Sequence, residues 1–377
     1  MFNIREFRKE PDRLADFLPW AALIAPGVVL NKEGSFQTTY SYRGPDLESS
    51  TDSELIIISE RMNNALKRFG SSWSIFFEAQ RKRSRGYPDS EFPCLVSSSI
   101  DHERRELFDL EGDHYESDYY VTFVFLPPSD RVNSFIPLFI DNKAENSCNY
   151  SQCLSKFIDD VEGIADMIKG AVPTLRRLSD DETLTYLHST VSTKKHTVKS
   201  PDIPMYLDAV VPDEPLTPGL EPKLGSSYLQ IICLRSFPGD SFPGIFDGLN
   251  NLHLEYRWTS RFICLDKESA VKELKKYKRQ WYAKRKTLET LIKDVFSKDS
   301  DRESIMTDTD AQNKAADSDL ALQDVSDDRA AYGFYTCAVI VSDVDRGRAE
   351  EKIKAVESVI NGLGFTTIRE GVNAVEA

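Results

Sequence analysis

Ala331-Tyr-Gly-Phe-Tyr-Thr-Cys-Ala-Val-Ile-Val341, followed by Ala349 to Asn361 and then Phe365 to Arg369, is the stretch that decides the fold. Its first segment is rich in aromatic and β-branched residues, which suit a pleated, half-buried strand. The second reads as a helix that Gly362 closes. The third is strand-like again. Towards the N-terminus, Tyr228 to Leu234 predicts a strand, Ile245 to Leu252 a helix and Trp258 to Leu265 a strand. The order is β-α-β, a long insert, then β-α-β. That order predicts a ferredoxin-like unit over residues 201–377 with a helical hairpin set into its centre, at about 267–325.

The insert is marked by charge. Lys267 to Lys298 holds eleven Lys/Arg against four Asp/Glu, whereas Asp299 to Ala330 holds three against ten. Leu274, Trp281, Leu288 and Val295 recur every seven residues, with Tyr277 and Leu291 on a second track. That is a narrow apolar seam for one partner helix. The partner is expected around Asp310 to Gln323, where Ala315, Leu320 and Leu322 are available. The opposite charges favour antiparallel folding of the hairpin.

The first half also alternates. Ala25 to Leu30 and Ser35 to Tyr42 flank a turn with Gly34 and predict a hairpin. Asp52 is the expected N-cap of a helix over Ser53 to Phe69. Trp73 to Ala79 reads as a strand, Ile100 to Asp109 as a helix and Tyr119 to Leu126 as a strand stopped by Pro127 and Pro128. Residues 129–150 read as a loop, Leu154 to Met167 and Glu182 to Ser192 as helices, and Val198 to Pro204 as an extended connection. The expected fold class is therefore α+β. It comprises an α/β unit over 1–130, a helical connector over 131–200 and the ferredoxin-like unit.

Composition narrows the function. The 377 residues are 40% hydrophobic and 11% aromatic, as in a folded chain. A net charge of −14 argues against general nucleic-acid binding, which needs a cationic surface. The six cysteines are scattered without a Cys-x-x-Cys; Cys233, Cys264 and Cys337 sit in apolar, strand-like runs and read as small buried hydrophobes in a reducing cytoplasm. The apolar stretch Leu14 to Leu30 is broken by Asp16, Pro19, Pro26 and Gly27, too soon for a membrane span of ~20 residues.

Motifs for chemistry are missing from the sequence. There is no Gly-x-x-x-x-Gly-Lys-[Ser/Thr], no Gly-x-Gly-x-x-Gly, no Gly-x-Ser-x-Gly and no His-Glu-x-x-His. His188 and His196, near Asp180, Asp181 and Glu182, raise a metal site. The simpler reading is a helix N-terminus with acidic residues in its first turn. No catalytic residue, cofactor or metal ligand is assigned. Two surfaces stand out as partner contacts. Phe17 and Trp20 sit in the early apolar stretch, which by default packs under the first sheet and otherwise presents these aromatics to a membrane protein or to the interface. Arg81, Lys82, Arg83 and Arg85 form a basic run with no acidic neighbour close by in sequence. A second basic run, Lys272 to Lys286, matches the acidic helix beside it. Two other readings stay open: a nucleic-acid contact through that second run, and an enzyme with a cryptic site between the two units.

Several blocks resemble the TrbE/CagE-type conjugal transfer ATPases of type IV secretion systems, in the same order along nearly the whole chain. They are Leu14 to Lys32, Phe36 with Arg43-Gly-Pro-Asp-Leu47, Asp181-Glu-Thr-Leu-Thr-Tyr-Leu-His-Ser-Thr190, Met205-Tyr-Leu-Asp-Ala209, Tyr256-Arg-Trp258, Arg279-Gln-Trp281 and Asn373-Ala-Val375. The resemblance implies large cytoplasmic ATPases, peripheral at the bacterial inner membrane, that energise channel and pilus assembly and DNA transfer. It implies hexamers, and partners among small inner-membrane subunits and other secretion subunits. It also implies a separate motor domain that holds ATP and Mg. The Walker motifs of that motor have no counterpart in this sequence. On the resemblance, this chain is expected to be a non-catalytic N-terminal docking and assembly region.

Overall fold

A computed structural model describes residues 13–47, 49–84, 86–127, 147–203, 205–279 and 317–371. In the first half the elements are α1 (Leu14–Phe17), β1 (Trp20–Ala25), β2 (Val28–Asn31), β3 (Phe36–Arg43), α2 (Asp52–Leu66), β4 (Trp73–Arg83), α3 (Leu95–Glu111), β5 (Tyr115–Phe125), α4 (Ser147–Lys169), β6 (Thr174–Arg177), α5 (Asp180–Val191) and α6 (Leu207–Val210). The second half has β7 (Leu216–Thr217), β8 (Lys223–Leu224), β9 (Ser227–Ser236), a 3-10 turn (Asp247–Asn251), β10 (Tyr256–Cys264), α7 (267–279), α8 (317–326), β11 (Gly333–Asp343), α9 (Arg346–Gly362) and β12 (Thr366–Glu370).

The α+β class holds. Among the described residues, twelve strands form one antiparallel sheet in the order β1-β2-β3-β5-β4-β10-β11-β9-β8-β7, with β12 on β9 and β6 on β3. The two halves meet where β4 pairs with β10, from Tyr256 opposite Arg81 to Ile263 opposite Ser74. On either side of that seam the strand order repeats. In the first half β3, β4, β5 and β6 lie as β6-β3-β5-β4; in the second, β9, β10, β11 and β12 lie as β12-β9-β11-β10. Each half thus places its third strand between its first and second, the interleaving of a split β-α-β arrangement. The repeat is structural; no sequence repeat announces it.

Both halves put their crossovers on the same face of the sheet. Over the first half, Phe157, Val161 and Ile164 of α4 and Ala65 of α2 bury Phe36, Ile75, Val121 and Phe123. Over the second, Ile353, Val356 and Ile360 of α9 and Leu249 of the 3-10 turn bury Ile232, Val339 and Val341. These aliphatic and aromatic contacts remove water from most of that face, the main favourable term in folding. The opposite face is covered over the first half by α5 and α6, whose Leu184, Leu187 and Leu207 pack with Trp20, Val29 and Leu178.

Several elements differ from expectation, each for a local reason. The N-cap of α2 is Thr51, not Asp52, because Thr51 and Glu54 form a reciprocal capping box. A further strand, β1, precedes the expected hairpin; Pro26-Gly27 is the turn between β1 and β2. Gly27 has φ +63° and sits against the carbonyl of Leu178, where a Cβ has no room. The expected helix over Ile245 to Leu252 is only a 3-10 turn, since Gly248, Asn250 and Asn251 are weak helix formers. The four-residue β6 is an addition to the expected elements; it lines the edge of β3 from Tyr40 to Arg43. In the insert, α7 and α8 run antiparallel as expected, joined by Lys278 with Asp319 and by Lys267 with Asp328 at 3.0 Å. Leu320, however, is 62% exposed, and Val325 and Ala270 take the buried places. The seam positions Trp281, Leu288, Leu291, Val295 and Ala315 lie outside the described residues, as does nearly all of the loop expected over 129–150.

Candidate functional site

The face of the sheet beneath α5 carries a polar knot at the seam between the halves. Glu78 of β4 is buried and accepts from Arg257 Nε of β10 at 2.7 Å. It also accepts from the Tyr186 hydroxyl of α5 at 2.9 Å and from Gln80 Nε2 at 2.6 Å. Arg257 continues to the Ser189 carbonyl at 2.7 Å and to Ser189 Oγ at 2.8 Å. Burial, together with the Glu78 charge, pushes the Tyr186 hydroxyl well above its ordinary range, so it serves as a donor. Two of the family-like blocks, Asp181–Thr190 and Tyr256–Trp258, meet here. Glu78 belongs to neither, and nothing in the sequence marks it beyond a charge inside a strand.

The expected surface residues separate. Phe17 is 55% exposed, but Trp20 is buried at 7% against Leu18 and Val29. Arg81, Lys82 and Arg83 belong to β4 itself, because the strand runs on to Arg83. They do have acidic and polar neighbours, supplied by other elements. Lys82 pairs with Asp118, directly, and with Glu116 at 3.7 Å. Arg83 pairs with Asp113. Arg81 donates to the carbonyls of Asn250 and Leu252 at 2.5 and 3.3 Å. Arg85 lies outside the described residues. On the insert, Lys272, Lys275, Lys276 and Arg279 line one shallow groove along α7.

His188 and His196 do come together, with ring centroids 4.3 Å apart. The carboxylates near them in sequence are engaged elsewhere. Asp180 accepts from Gly27 N at 2.6 Å, Asp181 from Ser200 N at 2.7 Å, and Glu182 from both Arg176 amino groups at 2.7 Å. The carboxylate that reaches the histidines is Asp213, from the segment after α6.

Among the described residues, the most exposed apolar feature is α3. Val96, Ile100, Leu107 and Leu110 follow one another at helical spacing and are 48–81% exposed, with Leu95 at 85% beside them. Its inner side is mixed: the Phe108 ring stacks on His114 at 3.6 Å and meets Tyr87 edge-on, beside two charged residues. Asp101 accepts from the Tyr87 hydroxyl at 2.7 Å, and the Arg105 guanidinium lies 5.3 Å over the Tyr87 ring. No residue of α3 is buried. The helix therefore leaves four apolar side chains outward, with Glu103 between them. The spacing of those residues is visible in the sequence; their direction is not. Among the described residues, no helix is long and apolar enough to cross a membrane.

The chain matches the family described as type IV secretion system ATPase VirB4/TrbE, N-terminal domain, over residues 27–132. It is 32% identical over its whole length to the conjugal transfer protein TrbE of Rhizobium radiobacter, of which it covers 47%. Sinorhizobium fredii has a probable conjugal transfer protein TrbE in two pieces, and the chain is similar to both. It is 36% identical to the first piece over 130 residues, which are 34% of this chain and 87% of that piece. It is 34% identical to the second, across 52% of this chain and 28% of that piece. The chain thus spans about half the length of the Rhizobium relative. By these matches the chain belongs to the VirB4/TrbE family of type IV secretion and conjugal transfer proteins.

Proposed function

We propose that this chain is a docking and assembly region of a type IV secretion ATPase, and that it contributes protein contacts rather than nucleotide chemistry. The observation that carries this reading is the outward apolar stripe of α3, Val96, Ile100, Leu107 and Leu110. Exposed apolar area of this kind costs solvation free energy unless a partner covers it. The sequence also offers no glycine-rich loop with a lysine for a triphosphate. The partners are other subunits of the secretion machine, with small inner-membrane subunits foremost. The place of action is the cytoplasmic side of the bacterial inner membrane, in a homo-oligomer with a motor domain that binds ATP and Mg.

Co-purification with the small membrane subunits of its own transfer operon tests the docking claim. The double variant Leu107→Glu, Leu110→Glu should lower recovery at least about tenfold, the loss expected when a central apolar contact is removed. Its circular dichroism should match the wild type, because neither side chain is packed inside. Equal recovery by the variant would remove α3 from the interface. Calorimetry with MgATP should show no saturable heat; micromolar binding would overturn the non-catalytic reading.

A further inference from the structure

We infer that His188, His196 and Asp213 form a binding site for a divalent transition-metal ion of the zinc type. This inference is independent of the docking reading. One ligand atom from each residue lies within 4.8 Å of the other two. His188 Nε2 is 3.3 Å from Asp213 Oδ1. Ligand atoms on a tetrahedral ion with bonds of about 2.0–2.1 Å stand roughly 3.3–3.4 Å apart, so this pair is already spaced as one edge of such a shell. The second observation is the state of His188 itself. Its side chain is only 2% exposed. Yet Nε2 makes no hydrogen bond of normal geometry; the Asp213 carboxylate stands beside it at 3.3 Å. A buried ring nitrogen without a well-formed hydrogen bond is costly, and native interiors rarely tolerate it unless something fills the place.

The surroundings fit a metal better than a simple ion pair. Asp213 already has a cation: Lys194 Nζ reaches Oδ2 at 3.0 Å, leaving Oδ1 turned to the histidine. An outer lysine on the second oxygen is the kind of partner that orients a ligating carboxylate. The segment that carries His196 is held from the same side. Glu214 accepts from Thr193 N at 2.7 Å and from Thr193 Oγ1 at 2.8 Å. His196 and Asp213 are exposed, so their side chains can close the remaining distance while buried His188 stays fixed. Two imidazoles and one carboxylate suit zinc and its neighbours, and do not suit magnesium or calcium, which prefer all-oxygen shells. The fourth position is left for water or for a group from a partner. Bound there, the ion would clip the C-terminal end of α5 to the segments on both sides of α6.

The test is a titration of the 377-residue chain with Co2+ followed by visible absorption, with Zn2+ as competitor. One Co2+ per chain is expected, with ligand-field bands of nitrogen and oxygen coordination that Zn2+ abolishes. His196→Ala and Asp213→Asn, both at exposed positions, should each weaken binding by about 100-fold or more, since even outer partners of a metal cost 10–100-fold. His253→Ala should bind as the wild type does. Zn2+ should raise the thermal midpoint of the wild type and not of the two ligand variants. No stoichiometric binding, unchanged affinity in either ligand variant, or thiolate charge-transfer bands would each overturn the site.

Discussion

Glu182 shows how a single residue sets a local preference. It caps α5 by accepting from Ser179 N at 2.9 Å and takes the fork of Arg176 through both oxygens at 2.7 Å. Arg176 first, and the Ser179 amide next, hold its carboxyl down at about 2. The folded value lies below the unfolded one, near 4.5. Its stabilisation is therefore complete above about pH 4.5 and is lost as pH falls through about 2. Glu182→Gln should thus melt lower than the wild type at pH 6, and the gap should close by about pH 2. The pair is about half exposed, so solvent screening keeps the effect to about 1 kcal/mol or less. Thermal melts across that range check it; a gap that stays constant with pH would refute the assignment. The acidic start of this helix is legible in the sequence, because Ser-x-x-Glu before an apolar run is a capping pattern. Its arginine is not, since Arg176 is presented by β6, a strand too short to show a period.

At the scale of elements, α5 is joined to the sheet through charge. The Glu78–Arg257 pair is buried, and Tyr186, Gln80 and Ser189 complete its hydrogen bonds. A buried pair adds little by itself, but stripping one member leaves the other uncompensated, at about 3–5 kcal/mol. Arg257→Met should therefore destabilise the protein by about that amount in urea titration. Adding Glu78→Gln should recover some of the loss. A double variant less stable than Arg257→Met would mean the pair is not coupled. Strands and helices are largely visible because alternation and helical spacing survive in the sequence. Their ends are less so: β4 runs four residues beyond its apolar stretch, through Gln80, Arg81, Lys82 and Arg83. There backbone pairing with β5 and β10, rather than side-chain hydrophobicity, extends the strand. For α3 the type is legible but its orientation is not, since a period defines an apolar side without saying which way it points.

For the molecule as a whole, the decisive contact is one that no local pattern encodes. The sequence separates two alternating stretches near residue 200; the sheet runs from one into the other through β4 and β10. Hydrogen exchange under increasing urea should show peptides of β4 and β10 losing protection together, in one transition. Exchange of β10 well before β4 would show that the halves separate before they unfold. His188, His196 and Asp213 illustrate the same limit, for the third residue comes from a separate segment and only the folded chain gathers the three.

The strands that meet at the seam are the same member of each half, laid antiparallel, with both sets of crossovers on one side. Two identical subunits related by a dyad perpendicular to their shared sheet would pair in just this way. The chain therefore has the geometry of a symmetric dimer folded within one polypeptide, with a lone helix at one site and a hairpin at the corresponding place in the other half.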